Sequence, residues 1–311
     1  MPERIGPIGL LLWCGFLLGV GFPLSKLSSA AGVPPMVWAV LVSAGASLPL
    51  IPVLVSRGVM VLPRGRMLRY VLLSGAVTFA LINLMIFELV PRIGAGQVGM
   101  MFALSPVATL AVSAMFGLKI PGRLGLLGIG IGLIGALTVA FGRGGVEGGL
   151  IWSLVALLIP VVLAVGNVYR TLDWPEGADP MVLAFWSHVV AMGALVVAML
   201  TTGQGVPLVT LREVPVISVV QAVAAGLTFP AYFRLQKLGG PVLLSQIGYV
   251  AAAVGLIAAT MFLGERYGVL SWSGVAITAV GIALTILAQS GKRVAMPIGR
   301  STRARLWLGQ P

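Results

Sequence analysis

Long apolar runs, broken by short polar punctuation, fill most of this chain. Crossing the ~30 Å hydrocarbon core of a bilayer takes about 20 helical residues. Ten apolar runs, charged only near their ends, come near or exceed that length, at 6–27, 35–56, 69–90, 94–117, 124–141, 149–170, 180–202, 214–235, 240–263 and 269–290. They are apolar on every face and rich in glycine, without the two-residue alternation of a membrane barrel strand. Proline and glycine end them, as in "GVPP" and "GLKIPGR". The pattern predicts an all-α integral membrane fold with no sizeable soluble domain between spans. The first run is expected to be retained rather than cleaved as a signal, because it is longer than a typical signal h-region and has a counterpart later in the chain.

That counterpart belongs to a repeat. "PMVWAV" at 35–40 returns as "PMVLAF" at 180–185, an offset of 145 that also pairs Gly21 with Gly166. An offset of 146 pairs Met115-Phe116 with Met261-Phe262, Gly128 with Gly274, and Gly135 with Gly281. A sustained offset implies one duplicated unit of about 145 residues. Each unit holds five spans, an odd number, so the second copy enters the membrane from the opposite face. The expected architecture is ten transmembrane helices as two inverted five-helix repeats, over 1–145 and 146–290, followed by a basic cytoplasmic tail at 291–311.

Composition agrees. Hydrophobic residues are 59% of the chain, charged residues 9%, and mean hydropathy is +1.07, against roughly 25% charged in soluble domains. Placing the N-terminus in the cytoplasm puts fifteen of the 20 Lys and Arg residues inside and five outside, which sets the orientation by the positive-inside rule. Both termini are then cytoplasmic in a multi-pass inner-membrane protein. The net charge of +12 is accounted for by basic loops facing anionic lipid, so no nucleic-acid partner is implied. One Cys (Cys14), one His and eight carboxylates supply neither a metal-ligand cluster nor a nucleophile–base–acid set. No Walker-type phosphate loop is present. An enzyme, a cofactor and a bound metal are therefore not expected.

Four segments carry a family resemblance: "GVGFPLSK" (19–26), "AVGNVYR" (164–170), "MFLGER" (261–266) and "GVAITAVGIAL" (274–284). On these the chain, over about 6–290, resembles the EamA family of the drug/metabolite transporter superfamily. It departs from the family at Leu18 and Leu163, where Trp is frequent, at Lys119, where Glu would stand, and near Ser43, where an Arg is common. The resemblance implies a small-metabolite transporter that exports its solute. It also implies a cavity lined by spans 1, 3, 4, 6, 8 and 9.

Those spans hold most of the deep uncharged polar residues. Phe79, Asn83 and Phe87 share one face of the third span, and Gln97, Met101 and Ser105 share a face of the fourth. Asn167 follows the repeat-matched Gly166; Gln221, Thr228 and Tyr232 form a stripe beside Phe229-Pro230; Gln246 and Tyr249 stand three apart. The candidate substrate-binding set is Asn83, Gln97, Met101, Asn167, Gln221, Phe229, Gln246 and Tyr249, each also open to reading as interhelical glue. Amide, thioether and aromatic groups suit a small amphipathic solute such as an amino acid. Pro106, Pro160 and Pro230 are expected to interrupt helices at mid-depth. Glu88 and His188 are the candidate proton-coupling groups. Lys26, Glu88, Arg170, Arg234 and Glu265 lie near span ends and read first as anchors or snorkelling groups. Gly128 and Gly132 form a Gly-x-x-x-Gly pair, which serves either packing inside the chain or a homodimer seam through helices 5 and 10. The other functions weighed are a multidrug or toxic-compound efflux carrier, a channel and a membrane scaffold; a channel would show a charged ring or filter-like run, and none stands out.

Overall fold

A computed structural model describes residues 5–141, 150–203 and 205–290. The expected junction at 145/146 and the basic tail lie outside the described residues.

The chain runs α1 (Pro7–Ala30), α2 (Pro35–Ser47), α3 (Leu50–Ser56), α4 (Gly65–Leu73), a π-helix (Ser74–Leu81), α5 (Ile82–Ile93), α6 (Ala95–Ala103) and α7 (Ser105–Met115). It continues with α8 (Arg123–Phe141), α9 (Leu150–Ala156), α10 (Leu158–Leu172), α11 (Pro180–Thr201), a 3-10 turn (Leu208–Glu213), α12 (Pro215–Ser245), α13 (Ile247–Leu263) and α14 (Val269–Ser290). No strand occurs among the described residues. Among the described residues, eight helical segments are long and apolar enough to cross a membrane, with Arg123–Thr138 and Ile247–Leu263 as shorter apolar helices at the fifth and ninth expected spans. The ninth is short because α12 turns back at Gly240 (φ 68°, ψ −174°), so that Pro241–Ser245 already belong to the ninth apolar run.

The expected proline breaks are only partly realised. Leu104 and Leu157 separate helices just ahead of Pro106 and Pro160, whereas Pro230 sits inside α12, and the only non-helical residue within α12 is Gly240. Neighbouring helices and local adjustment let a membrane helix carry a proline without ending.

Two of the tightest connections use backbone that favours glycine. Gly94 (φ 87°, ψ 152°) joins α5 to α6, and Gly240 joins the two limbs of α12. Both lie in a region essentially closed to residues with a Cβ. They stand 146 positions apart. Further left-handed glycines, Gly32 with Gly177 and Gly58 with Gly203, are separated by 145.

Helices in lipid gain little from hydrophobic association and pack through small residues. Here α1 lies on α12 and α13, α10 lies on α7 and the π-helix, α2 lies on α11 and α12, and α8 lies on α14. A Cβ added at Gly19 would stand 2.7 Å from the Ala251 carbonyl oxygen, and one at Gly45 would stand 2.5 Å from the Ala222 backbone. The glycines of α8 and α14 face one another within the chain: a Cβ at Gly281 would meet the Gly132 nitrogen at 2.4 Å. Leu12, Trp13 and Phe16 on α1, and Val216, Val219 and Val223 on α12, remain exposed as lipid-facing surface.

Candidate functional site

A cavity of about 70 Å³ opens among α1, α2, the π-helix, α5, α6, α10 and α12. At roughly 10–15 Å³ per water, it holds a handful of waters or a small solute group. Its walls are largely aromatic and aliphatic, with Phe22, Phe79, Phe87, Phe102, Phe229 and Tyr232 supplying rings. Polar groups enter at Thr78, Asn83 and Gln221. The Nδ2 of Asn83 and the Oε1 of Gln221 are buried without a hydrogen-bond partner. Such groups are costly unless something binds them.

The π-helix sets one wall. Its extra residue per turn lets Thr78 lie where a Cβ at Gly166 would come within 2.6 Å of the Thr78 methyl carbon, so the third and sixth spans meet closely. On its other flank a Cβ at Gly75 would stand 2.6 Å from the Ser187 carbonyl oxygen. Single π-helical turns are rare and concentrate at functional sites.

Of the sequence-derived candidates, Asn83, Gln221 and Phe229 line this cavity, together with Phe79, Phe87, Thr228 and Tyr232 from the same helical stripes. Asn167 lies just behind it: its side-chain oxygen accepts from the Tyr232 hydroxyl at 3.0 Å. Gln97 and Met101 are not among the lining residues; the one is buried and the other half-buried in α6. Gln246 is fully buried at the break before α13, with both amide atoms unpartnered, and stands outside the cavity wall. Tyr249 donates to the Ile129 carbonyl at 2.9 Å, tying α13 to α8. The walls therefore draw on spans 1, 2, 3, 4, 6 and 8, with Val42 of α2 present and α13 absent.

His188 is fully buried, its ring 3.9 Å from Phe229 and 4.5 Å from Phe79, centroid to centroid, with neither nitrogen hydrogen-bonded. Glu88 is about one-third exposed and pairs with Arg92 one turn on.

Arg170 corrects the expectation of a snorkelling end group: it is fully buried. A helical side chain leans toward its helix N-terminus, here back into the bundle rather than out to water. Its Nε donates to Gln236 Oε1 at 2.8 Å, and one terminal nitrogen donates to Asn167 Oδ1 and to the Tyr232 hydroxyl, both at 2.7 Å. The guanidinium carbon stands 5.1 Å from the Phe79 ring centroid and 5.3 Å from that of Tyr232. The sequence signal was available, since a charge inside an apolar helix is a functional hypothesis by default; closeness to the span end masked it.

Ionic links join residues far apart in the chain. Asp173, fully buried just past α10, accepts from Arg66 Nε at 3.1 Å and from Arg69 at 3.1 and 2.5 Å, and from the Tyr169 hydroxyl at 2.8 Å. Lys26, near the end of α1, pairs with Glu265 just past α13, which also accepts from the Tyr267 hydroxyl.

Apolar spanning helices packed around a ring-lined, partly polar cavity define a multi-pass helical membrane protein. Residues 6–141 match the model of the EamA-like transporter family, which bears out the resemblance read from the sequence. The match covers the first part of the chain, and the family it belongs to is described as one of transporters. A solved structure, described only as a crystal structure of a protein, superposes with a TM-score of 0.68 at 17% identity, covering 91% of this chain and 98% of that one. At that identity the likeness is one of fold. Comparison with curated proteins gave no significant match.

Proposed function

We propose that this protein is a secondary transporter that carries a small amphipathic metabolite, an amino acid or similar solute, out of the cell across the inner membrane by alternating access. The observation that carries the reading is the cavity: aromatic walls for an apolar body, with idle amide atoms of Asn83 and Gln221 for polar ends. Amides orient a solute while rings hold it.

Support for an inverted repeat comes from the packing. Exchanging the halves turns the α1–α13 contact into the α10–α7 contact, and the α1–α12 contact into that of α10 with the π-helix. The glycine pairs Gly32/Gly177, Gly58/Gly203 and Gly94/Gly240 follow the same register. Ten spans in two inverted halves would offer two related packings, one open to each face. On the proposed topology the Arg66/Arg69–Asp173 link closes the cytoplasmic end and the Lys26–Glu265 link the outer end. Opening either face then requires breaking one link while keeping the other. The halves fall on either side of 145/146. A homodimer through the fifth and tenth spans, α8 and α14, would use their outward faces, since their glycines meet each other.

Proteoliposomes preloaded with unlabelled amino acids test the reading by counterflow of the labelled solute; no saturable flux for any solute tried is the adverse result. Proton coupling through Glu88 or His188 belongs to the same proposal. Unchanged response of flux to an imposed pH gradient in both Glu88→Gln and His188→Asn would remove it.

A further inference from the structure

Among the described residues, the buried guanidinium of Arg170 has no counter-ion within ion-pair distance. Its side-chain partners, Gln236, Asn167 and Tyr232, are all neutral. Its second terminal nitrogen is buried with no hydrogen-bond partner at all. The carboxylate nearest in sequence, Asp173, is already held by Arg66, Arg69 and Tyr169. Two other guanidinium groups, those of Arg66 and Arg69, thus already share that one carboxylate.

Leaving a charge uncompensated inside a membrane bundle is costly, and neutral hydrogen bonds offset only part of that cost. An arginine's planar fork matches a carboxylate bidentately. The group also stands against the cavity rather than apart from it: Phe79 and Tyr232 line the cavity on one side and stack on the guanidinium with their faces. Tyr232 is both wall and ligand, since its ring faces the cavity and its hydroxyl accepts from Arg170. The Tyr70 hydroxyl is another buried polar group without a hydrogen-bond partner.

We infer that Arg170 is the charge anchor for a carboxylate carried by the solute: the apolar body occupies the aromatic cavity, and the carboxylate reaches the idle terminal nitrogen past the Tyr232 hydroxyl. The solute itself is the missing counter-ion. This deepens the transport reading, on which it rests, by restricting the cargo to small monocarboxylates, amino acids included, and excluding neutral or cationic drugs as preferred cargo.

The test titrates purified protein in lipid nanodiscs with short-chain and aryl carboxylates, the corresponding α-amino acids, and the primary amide of each. Thermal melting and isothermal titration read binding. Carboxylates are expected to raise the melting temperature where their amides do not, and the best of them to bind at least tenfold more weakly to Arg170→Gln. Truncation at a buried position also threatens folding, so Gln236→Glu carries a second arm. It sets a carboxylate within hydrogen-bond reach of Nε, at the place of the 2.8 Å contact, and neutralises the guanidinium from inside the protein. The substitution gives up the bond from Gln236 Nε2 to the Asn167 carbonyl at 3.0 Å in exchange for the new ion pair, so this variant is expected to stay folded and to lose carboxylate binding at least tenfold; a purely structural arginine predicts no such loss. Amides binding as well as their acids, no carboxylate of the panel binding, or undiminished carboxylate affinity in Gln236→Glu would overturn the assignment. Counterflow separates this outcome from the fate of the transport reading. Flux of neutral solutes alone sinks the anchor and keeps the carrier, whereas Arg170-dependent binding without flux keeps the anchor and sinks the carrier.

Discussion

Asn83 and Gln221 share a condition that most buried amides avoid, an atom facing the cavity with nothing to bond. A solute that satisfies them gains hydrogen bonds each worth about 0.5–1.5 kcal/mol net. Asn83→Ala and Gln221→Ala should therefore each weaken solute binding by about three- to tenfold, read by isothermal titration, while leaving the melting temperature of the empty protein unchanged or raised. Tyr249 supplies the contrast. Tyr249→Phe removes its hydrogen bond to the Ile129 carbonyl and should cost about 1 kcal/mol of stability with solute affinity unaltered. Loss of affinity in Tyr249→Phe would move the site toward α13. The pair shows why helical stripes in the sequence were informative yet incomplete. Phe79, Asn83 and Phe87 shared a predicted face and do share the cavity wall, but Gln97 and Met101, equally well spaced, do not line it. Spacing defines a face; which neighbour covers that face is a tertiary matter.

Among the elements, the turns at Gly94 and Gly240 and the α8–α14 seam carry the most exacting backbone. Gly94→Ala and Gly240→Ala each force a Cβ into a conformation that costs of order 1–3 kcal/mol, so both variants should melt lower in detergent, and the effect should be similar at the two positions. At the seam, Gly281→Ala places a Cβ 2.4 Å from the Gly132 backbone nitrogen. Forcing the two helices apart should cost about 1–3 kcal/mol, with loss of thermal stability as the readout; an unchanged melting temperature would mean that the seam is looser than drawn. The glycine spacing of the fifth and tenth runs announced close packing in advance, but their partner was undetermined between a second copy and the same chain. The π-helix at Ser74–Leu81 had no sequence signal, because an α-helix and a π-helix draw on the same apolar residues.

For the molecule as a whole, the strongest expectation concerns sidedness and the links that hold the halves together. With Cys14 fully buried, single cysteines introduced at Lys119 and Lys237 give a clean labelling test. Both should react with an impermeant maleimide only when the cytoplasmic face is accessible; labelling from opposite sides would dismantle the inverted arrangement. Asp173→Asn should lower stability by about 1–3 kcal/mol, the worth of hydrogen bonds to a charged group, because Arg66 and Arg69 lose their common carboxylate. If the proposed gating is right, the same variant should shift crosslinking between introduced cysteine pairs toward the state open to the cytoplasm.

Membership of the membrane, the run of apolar helices and the likeness of residues 6–141 to a transporter family were legible from residue order alone, because each depends on composition and period along one dimension. Where a long side chain ends is a different kind of quantity. Arg170, two residues from the end of its helix, had the sequence position of a snorkelling group. Only the packing of α10 against α12 and the π-helix turned its guanidinium inward, between Phe79, Tyr232, Asn167 and Gln236. Burial and pairing of a charge depend on atoms brought together from distant parts of the chain, and those are assembled only in three dimensions.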